Sequence, residues 1–372
     1  MASMKTIRVT APVYDSFRVR QVSGIFDVPP TVKAESTFHF ELPDLNGDWR
    51  IGLIVGPSGS GKSTAARELF GDHLYRRFEW PEDAAVIDAF DPHPIKRIVQ
   101  ALTTVGFSSP PSWIKPYSVL SNGEQFRCDL AKAILDGPDD FVVFDEFTSV
   151  VDRNVARIGS AALAKGIRGG EITKRFIAVT CHYDVAQWLT PDWILDMATG
   201  TTSGRSLRRP EIRLDIVRSG RDLWPLFARH HYLSGNLSPA AQCYTALWNG
   251  NPVAFCGILP LMGMKGRRRV SRIVTLPDYQ GVGIGSAFLD GMGTVCRRQG
   301  WRLNLTASHP AVIAHCRKSD RWRTVSVRKT GSGTRQFHRP CPGSAGRAVV
   351  SFEFVANGRG SAVSLEAVTS AQ

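Results

Sequence analysis

No apolar stretch of this 372-residue chain approaches the ~20 residues that a membrane-spanning helix needs, so a helical integral membrane protein is not expected. The segment Met1–Thr10 lacks the apolar centre of a secretion leader, which makes a cytoplasmic location the expectation. Cysteine is sparse and scattered (Cys128, Cys181, Cys243, Cys256, Cys296, Cys316 and Cys341), and no two form a C-x-x-C pair. That pattern argues against a zinc ribbon and against a disulfide framework, leaving reduced thiols. Acidic residues are scarce in one half only. From residue 201 onward there are 25 Lys and Arg against 8 Asp and Glu, a net of +17, whereas the first 200 residues carry a net of −4. A polyanion is the natural partner for the basic half, nucleic acid being the commonest. The plainer alternative is a solvated basic surface that attracts only an anionic cofactor. The length itself suggests two domains.

Against those absences, one stretch is dense in glycine and hydroxyl groups. After the apolar run Ile51–Val55 come Gly56, Pro57, Ser58, Gly59, Ser60, Gly61, Lys62, Ser63 and Thr64, meeting G-x-x-x-x-G-K-[ST]. Glycines let successive backbone N–H groups turn toward one oxyanion, and the helix that follows aims its positive end at the same point. Lys62 is placed to neutralise β- and γ-phosphates and the Ser63 hydroxyl to ligate Mg²⁺. The spacing predicts a phosphate-binding loop for ATP between a strand and a helix.

Three further segments share this half. Phe141–Phe144 reads as a buried strand ending in Asp145 and Glu146, a metal-holding carboxylate beside a general base. Leu120-Ser121-Asn122-Gly123-Glu124-Gln125 opens a helical stretch. Ser149-Val150-Val151-Asp152 follows the acidic pair, and His182 follows a strand at Phe176–Val179. In this order the motifs resemble those of the ABC-type ATPases: P-loop, signature, acidic pair, D-loop and switch histidine. The resemblance implies that Lys62 holds phosphate, Ser63 and Asp145 hold Mg²⁺, Glu146 is the base and His182 meets the γ-phosphate. Asp152, in the D-loop, would belong to the ATP-binding set; Ser121 and Gly123 would act in trans on a second copy, so a homodimer is implied. With no apolar span, the chain is not a fused transporter. Two family features are missing or displaced. Ala85–Asp91 contains no Gln, so Asp88 or Asp91 is expected to substitute, and Phe26 is a candidate adenine platform or ordinary core.

Beyond the polar connector Thr199–Arg205, strands and helices alternate again. Predicted strands are Ile212–Val217, Cys243–Trp248, Pro252–Leu259, Arg269–Leu276, Trp301–Thr306, Trp322–Val327 and Val349–Val355. Helices are predicted over Leu223–His231, from near Gly283 and from Pro310, with a hairpin turn at Asn249-Gly250-Asn251. Gln280, Gly281, Val282, Gly283, Ile284 and Gly285 follow a strand and open a helix, with Arg269 and Arg272 nearby. This resembles the acyl-CoA diphosphate loop of the GNAT acyltransferases, with Gln280, Gly283 and Gly285 matching Q/R-x-x-G-x-G/A. A dinucleotide loop would need G-x-G-x-x-G with an acidic residue downstream, and the spacing here is wrong for it. The resemblance implies acetyl-CoA as acyl donor.

Acceptor-side candidates are His230, His231 and Tyr232 at the end of the first predicted helix, and Ser308 and His309 after the strand Trp301–Thr306. Tyr279 and His315 are weaker ones. The competing reading of the histidine pair is a helix C-terminus favoured by the dipole. Trp248, Trp301 and Trp322 could stack on bases, with burial as the alternative.

The expectation is an α/β chain with an ABC-type P-loop ATPase domain over 1–200 and a linker at 201–210. A mixed α+β GNAT-like domain follows over 211–356, then a flexible tail at 357–372. Its ATPase would be coupled to N-acyl transfer onto nucleic acid. The alternatives are transfer to a protein or small amine, or a non-catalytic, ATP-driven nucleic-acid clamp.

Overall fold

The computed structural model describes residues 3–26, 33–204, 210–231, 236–329, 348–355 and 365–366. In chain order its elements begin with β1 (Met4–Pro12), α1 (Phe17–Phe26), β2 (Lys33–Glu41), β3 (Ile51–Val55), α2 (Lys62–Phe70), α3 (Ile95–Thr104) and α4 (Pro110–Trp113). Next are α5 (Asn122–Asp136), β4 (Phe141–Phe144), α6 (Arg153–Arg168), β5 (Arg175–Thr180), α7 (Ala186–Leu189), β6 (Trp193–Asp196) and β7 (Thr201–Gly204). They continue with β8 (Leu214–Ser219), α8 (Trp224–Ala228), β9 (Gln242–Trp248), β10 (Asn251–Pro260), β11 (Arg267–Thr275) and α9 (Ile284–Arg298). The last are β12 (Arg302–Ala307), α10 (Pro310–Lys318), β13 (Trp322–Lys329), β14 (Ala348–Phe354) and β15 (Leu365–Glu366).

The chain forms two compact units, and their limits do not follow a boundary at residue 200. The first holds Met1–Phe78, Lys132–Asp152 and Gly166–Arg209; the second holds Glu79–Ala131, Arg153–Lys165 and Pro210–Gln372. The segment carrying the signature motif therefore packs with the C-terminal half.

In the first unit a five-stranded sheet runs β4-β5-β3-β6-β7. β3 pairs in parallel with β5 and β6, and β4 in parallel with β5; only β7 is antiparallel. All five residues of β3 are buried, as expected of an apolar parallel strand covered on both faces. Ile54, Val143, Val179 and Leu195 of this sheet share one core cluster with Trp49, Phe70 and Trp193. The loops at the carboxyl ends of β3, β4 and β5 face the same edge, where ligands of such sheets bind. β1 and β2 form a separate antiparallel ribbon. Thr201–Gly204, expected to be linker, is an edge strand antiparallel to β6, because the Asp196–Gly200 turn folds the chain straight back.

In the second unit an eight-stranded sheet runs β13-β14-β12-β11-β10-β9-β8-β15. Asn249 and Gly250, at φ 51° and 78°, make the left-handed pair that joins β9 to β10, as the Asn-Gly turn requires. β10 pairs antiparallel with β11, and the register passes over Ser271, which makes that residue a bulge. β11 and β12 are parallel, joined through α9, and pair only over Arg267–Arg269 with Arg302–Asn304. Past those three pairs the two strands no longer pair with each other, β11 continuing against β10 and β12 against β14. α8 ends at Ala228, three residues before the predicted end at His231. Leu365–Glu366, placed by sequence in a loose tail, pairs in parallel with β8.

Candidate active sites

The nucleotide site is built on the first unit's sheet edge. Gly61, at φ 84°, is the left-handed N-cap of α2; a Cβ there would lie 2.7 Å from the Phe38 ring. Only glycine meets both demands. Lys62 Nζ donates to the Pro57 carbonyl at 2.8 Å, folding the lysine over its own loop. Ser63 Oγ donates to Asp145 Oδ1 at 3.1 Å, so a hydroxyl from α2 and a carboxylate from the end of β4 already stand together. That oxygen pair is the donor set a hard divalent cation prefers, and the residues fit ATP with Mg²⁺.

Glu146 projects into solvent beside Asp145, with φ 55°, and Thr148 follows at φ 68°. Two non-glycine residues in the left-handed region so close together mark a strained turn, which such sites often keep. The turn is held by three contacts. Asp145 Oδ1 accepts from the Glu146 N–H at 2.9 Å, Ser149 Oγ donates to Glu146 Oε2 at 2.5 Å, and Thr148 Oγ1 hydrogen-bonds His182 Nδ1 at 3.3 Å. His182 also donates its N–H to Thr180 Oγ1 at 3.2 Å. The predicted base and switch histidine thus occupy one bonded turn. Asp152 is exposed just before α6, and Phe26 is 70% exposed at the end of α1. Asp88 and Asp91 are exposed around a short turn of 3-10 helix.

In the second unit, Ser121 and Glu124 close a capping box at the start of α5. Ser121 N–H and Oγ both donate to Glu124 Oε2, at 3.0 and 3.1 Å, and Glu124 N–H donates back to Ser121 Oγ at 3.3 Å. Ser112 Oγ holds the other carboxylate oxygen at 2.8 Å. Gly123 is buried in the same turn.

The second loop repeats the geometry of the first without its charges. Gly283, at φ 98°, is the left-handed N-cap of α9, and a Cβ there would meet no atom of the described residues within 4 Å. The open side of that glycine is the cradle a diphosphate would occupy, with the helix N-terminus behind it. Val282 and Ile284 are buried and pin the loop from beneath. Gln280 is committed to the protein. Its Nε2 donates to the Thr275 carbonyl at 2.9 Å, and its Oε1 accepts from the Ser108 N–H at 2.7 Å.

The acceptor candidates separate in their surroundings. His231 is buried edge-on to Trp224, with centroids 6.0 Å apart, so it packs the core behind α8. His230 is half-buried and its Nε2 accepts from Arg229 Nε at 3.0 Å; burial first and Arg229 second hold its pKa below the usual value. His309 begins α10, and burial lowers its pKa although its imidazole hydrogen-bonds the Ser108 backbone. Ser308 is half-buried beside it, and Tyr232 lies outside the described residues. His315 pairs with Asp290 at 3.0 Å, and the same carboxylate oxygen accepts from Trp322 Nε1 at 2.7 Å. Buried Trp322 is therefore core and no stacking platform. Trp301 lies under Arg268 at 4.0 Å, and Trp248 packs edge-on to Tyr279.

Residues 209–315 match the acetyltransferase (GNAT) family. This part of the chain is a GNAT-family acetyltransferase domain. The GNAT match includes the Gln280–Gly285 loop, the histidine candidates His230, His231, His309 and His315, and most of α10. Among solved structures, the chain is similar to a dimeric ATP-binding cassette bound to ADP and Pi, at 16% identity over 47% of this chain and 93% of that one, with a TM-score of 0.35. It is also similar to a ribosomal-protein-alanine N-acetyltransferase from Escherichia coli, at 17% identity over 40% and 96%, TM-score 0.31. A Bacillus subtilis acetyltransferase in complex with CoA is similar at 12% identity over 39% and 98%, TM-score 0.31. No curated protein sequence matches the chain.

Sequence reasoning missed the residues around the second loop that come from elsewhere in the chain. Ser108 and Arg127 lie more than 150 positions before the residues they hold, Gln280 and Asp278. No local pattern announces such pairs. The capping box is legible in the sequence as Ser-x-x-Glu at 121–124.

Proposed function

We propose that the chain is an ABC-type ATPase whose nucleotide cycle governs acyl transfer from acyl-CoA by the GNAT domain onto an amine of nucleic acid. The observation that carries the ATPase reading is the 3.1 Å contact of Ser63 with Asp145, beside Glu146 and the His182-bonded turn. Lys62 would neutralise phosphate, Ser63 and Asp145 would hold the cation, and Glu146 would take a proton from the attacking water. His182 would contact the γ-phosphate. Bound Mg²⁺ would supply charge neutralisation between the terminal phosphates. Ser121 and Gly123, at the N-terminus of α5, would complete the site of a second copy, so the working form is a homodimer. The described cysteines are all free thiols and mostly buried, which suits a reducing compartment such as the cytoplasm.

Among the described residues no helix is long and apolar enough to cross a membrane. In the transferase, the N-terminus of α9 with Gly281, Gly283 and Gly285 would hold the diphosphate of acetyl-CoA. His230 and His309 are both biased toward the neutral imidazole, the form that can accept a proton from an attacking amine. Support for a nucleic-acid acceptor comes from charge. Arg269, Arg297, Arg298, Arg317, Lys318 and Arg328 are all exposed on the GNAT half. Arg302 and Arg323 are already paired with Glu353, so the attraction is smaller than the formal charge suggests.

Radiolabelled acetyl-CoA, offered with and without ATP to separated DNA, tRNA and protein fractions, tests the proposal. ATP-dependent label in a nucleic-acid fraction is expected. Label confined to protein would replace the acceptor with a protein amine. No label anywhere, with steeply salt-dependent nucleic-acid binding, would leave only an ATP-driven clamp.

A further inference from the structure

Three backbone features bring the segment Gly106–Ser109 against the acyl-CoA loop, all within the second unit. Gly106 is left-handed at φ 86°, and a Cβ there would sit 2.9 Å from the Gln280 carbonyl oxygen. Gly281 answers it from the other side. Its φ is 85°, and a Cβ would fall 2.6 Å from Ala162 and 2.7 Å from the Gly106 Cα. Two glycines facing each other allow backbone to lie on backbone, an approach any side chain would block. Ser108 then joins the segments that follow β11 and β12: its N–H donates to Gln280 Oε1, and its backbone bonds His309.

A charge lies behind this contact. Arg127, on the first turns of α5, is fully buried, with Nη1 donating to the Gly123 carbonyl at 3.1 Å and facing Asp278 Oδ1 at 3.5 Å. Its Nε and Nη2 have no hydrogen-bond partner among the described residues. Burying a guanidinium so incompletely satisfied is costly unless its carboxylate partner Asp278 stays in place. Asp278 sits in the turn Pro277–Tyr279, two residues before the loop begins, and its side chain is 46% exposed. Arg127 thus ties the signature turn to the entrance of the acyl-CoA loop. Desolvation lowers the Arg127 pKa, and Asp278 opposes that shift first, with Glu124 adding a smaller contribution.

We propose that Arg127 and Ser108 are positioning residues of the transferase: the segment carrying the signature motif holds Asp278 and Gln280 so that the Gln280–Gly285 loop keeps its acyl-CoA-binding shape. The GNAT domain is then incomplete without residues 106–127. The proposal rests on the reading of that loop as the acyl-CoA diphosphate site. Neither residue touches the donor itself. Each acts through the loop, so the effect belongs in affinity for CoA.

Calorimetric titration of the full chain with CoA tests this through a double-mutant cycle. Arg127→Met and Asp278→Asn should each weaken CoA binding by about fivefold or more, and the double variant should bind no more weakly than either single one. Arg127→Lys, which keeps the charge, should recover part of the loss. A purely structural arginine would lower thermal stability without coupling to Asp278 in CoA affinity. Should Arg127→Met fail to fold, Asp278→Asn and Arg127→Lys still carry the comparison, since Asp278 is half-exposed. Singles that bind CoA within about twofold of the natural chain, or losses that multiply in the double variant, would overturn the proposal. A natural chain that binds no CoA would instead overturn the loop reading on which it stands.

Discussion

The two glycine loops of this chain solve the same geometric problem and end in different chemistry. Each puts a left-handed glycine, Gly61 or Gly283, at the N-cap of a helix, with no side chain serving as cap. Each leaves backbone N–H groups for an anion. The first adds a lysine inside the loop and a serine bonded to a strand-end carboxylate; the second adds neither. On the proposed reading, the difference separates a loop that would handle a phosphate under attack from one that would only hold a diphosphate. Where the first must manage charge in a reaction, it carries its own ions. The second takes its support from outside, through Ser108 and Arg127.

Substitutions can break the comparison at either loop. Lys62→Ala should have the largest effect. ATP hydrolysis should fall by more than about 100-fold, since the charge that neutralises the phosphates is gone. CoA titration of the same variant should match the natural chain. A loss of CoA affinity equal to the loss of ATP affinity would mean that the loops are not separate sites.

Gly283→Ala is the counterpart. No atom of the described residues lies within 4 Å of the new Cβ, so its costs are a strained φ of 98° and intrusion on the cradle. CoA affinity should weaken by about tenfold, equivalent to ~1.4 kcal/mol. ATP hydrolysis without acyl-CoA should be unchanged. Unaltered CoA binding would show that the diphosphate lies elsewhere.

Much of this contrast was legible in the sequence because each loop is a contiguous run flanked by its own strand and helix. The same holds for Asp145 and Glu146 at the end of β4, and for the Asn249-Gly250 turn. The unit boundaries were not legible. A connector rich in Thr, Ser and Gly reads as a linker, yet four of its residues extend a sheet, since edge strands need little apolar content on their open side. The placement of residues 79–131 was hidden for a related reason. Short helices such as α3 and α4 show which face is apolar, never which neighbour covers it. The histidine pair His230 and His231 shows the limit at a single site. The two are adjacent in sequence, but one is core against Trp224 and the other is half-buried and bonded by Arg229.

The smallest expected effect is on pH. Burial holds His309 and His230 below their ordinary pKa in the folded chain. The unfolded chain therefore takes up protons first as pH falls through about 6.5, and folding stability is lost in that window and below. Urea unfolding at pH 7.5 and 5.5 should show the natural chain weaker at the lower pH. His309→Gln should flatten the slope. An unchanged slope would remove His309 as its source.

The account stands most directly on the nucleotide site and on its completion by a second copy. Light scattering of the Glu146→Gln variant with ATP and Mg²⁺ tests it in one measurement. Glu146 would no longer accept the proton of water, so ATP should persist and hold the signature turn of each copy against the other's P-loop. A stable ATP-dependent dimer is predicted, dissociating when ATP is withdrawn. A monomer that hydrolyses ATP at the undiminished rate would contradict the account.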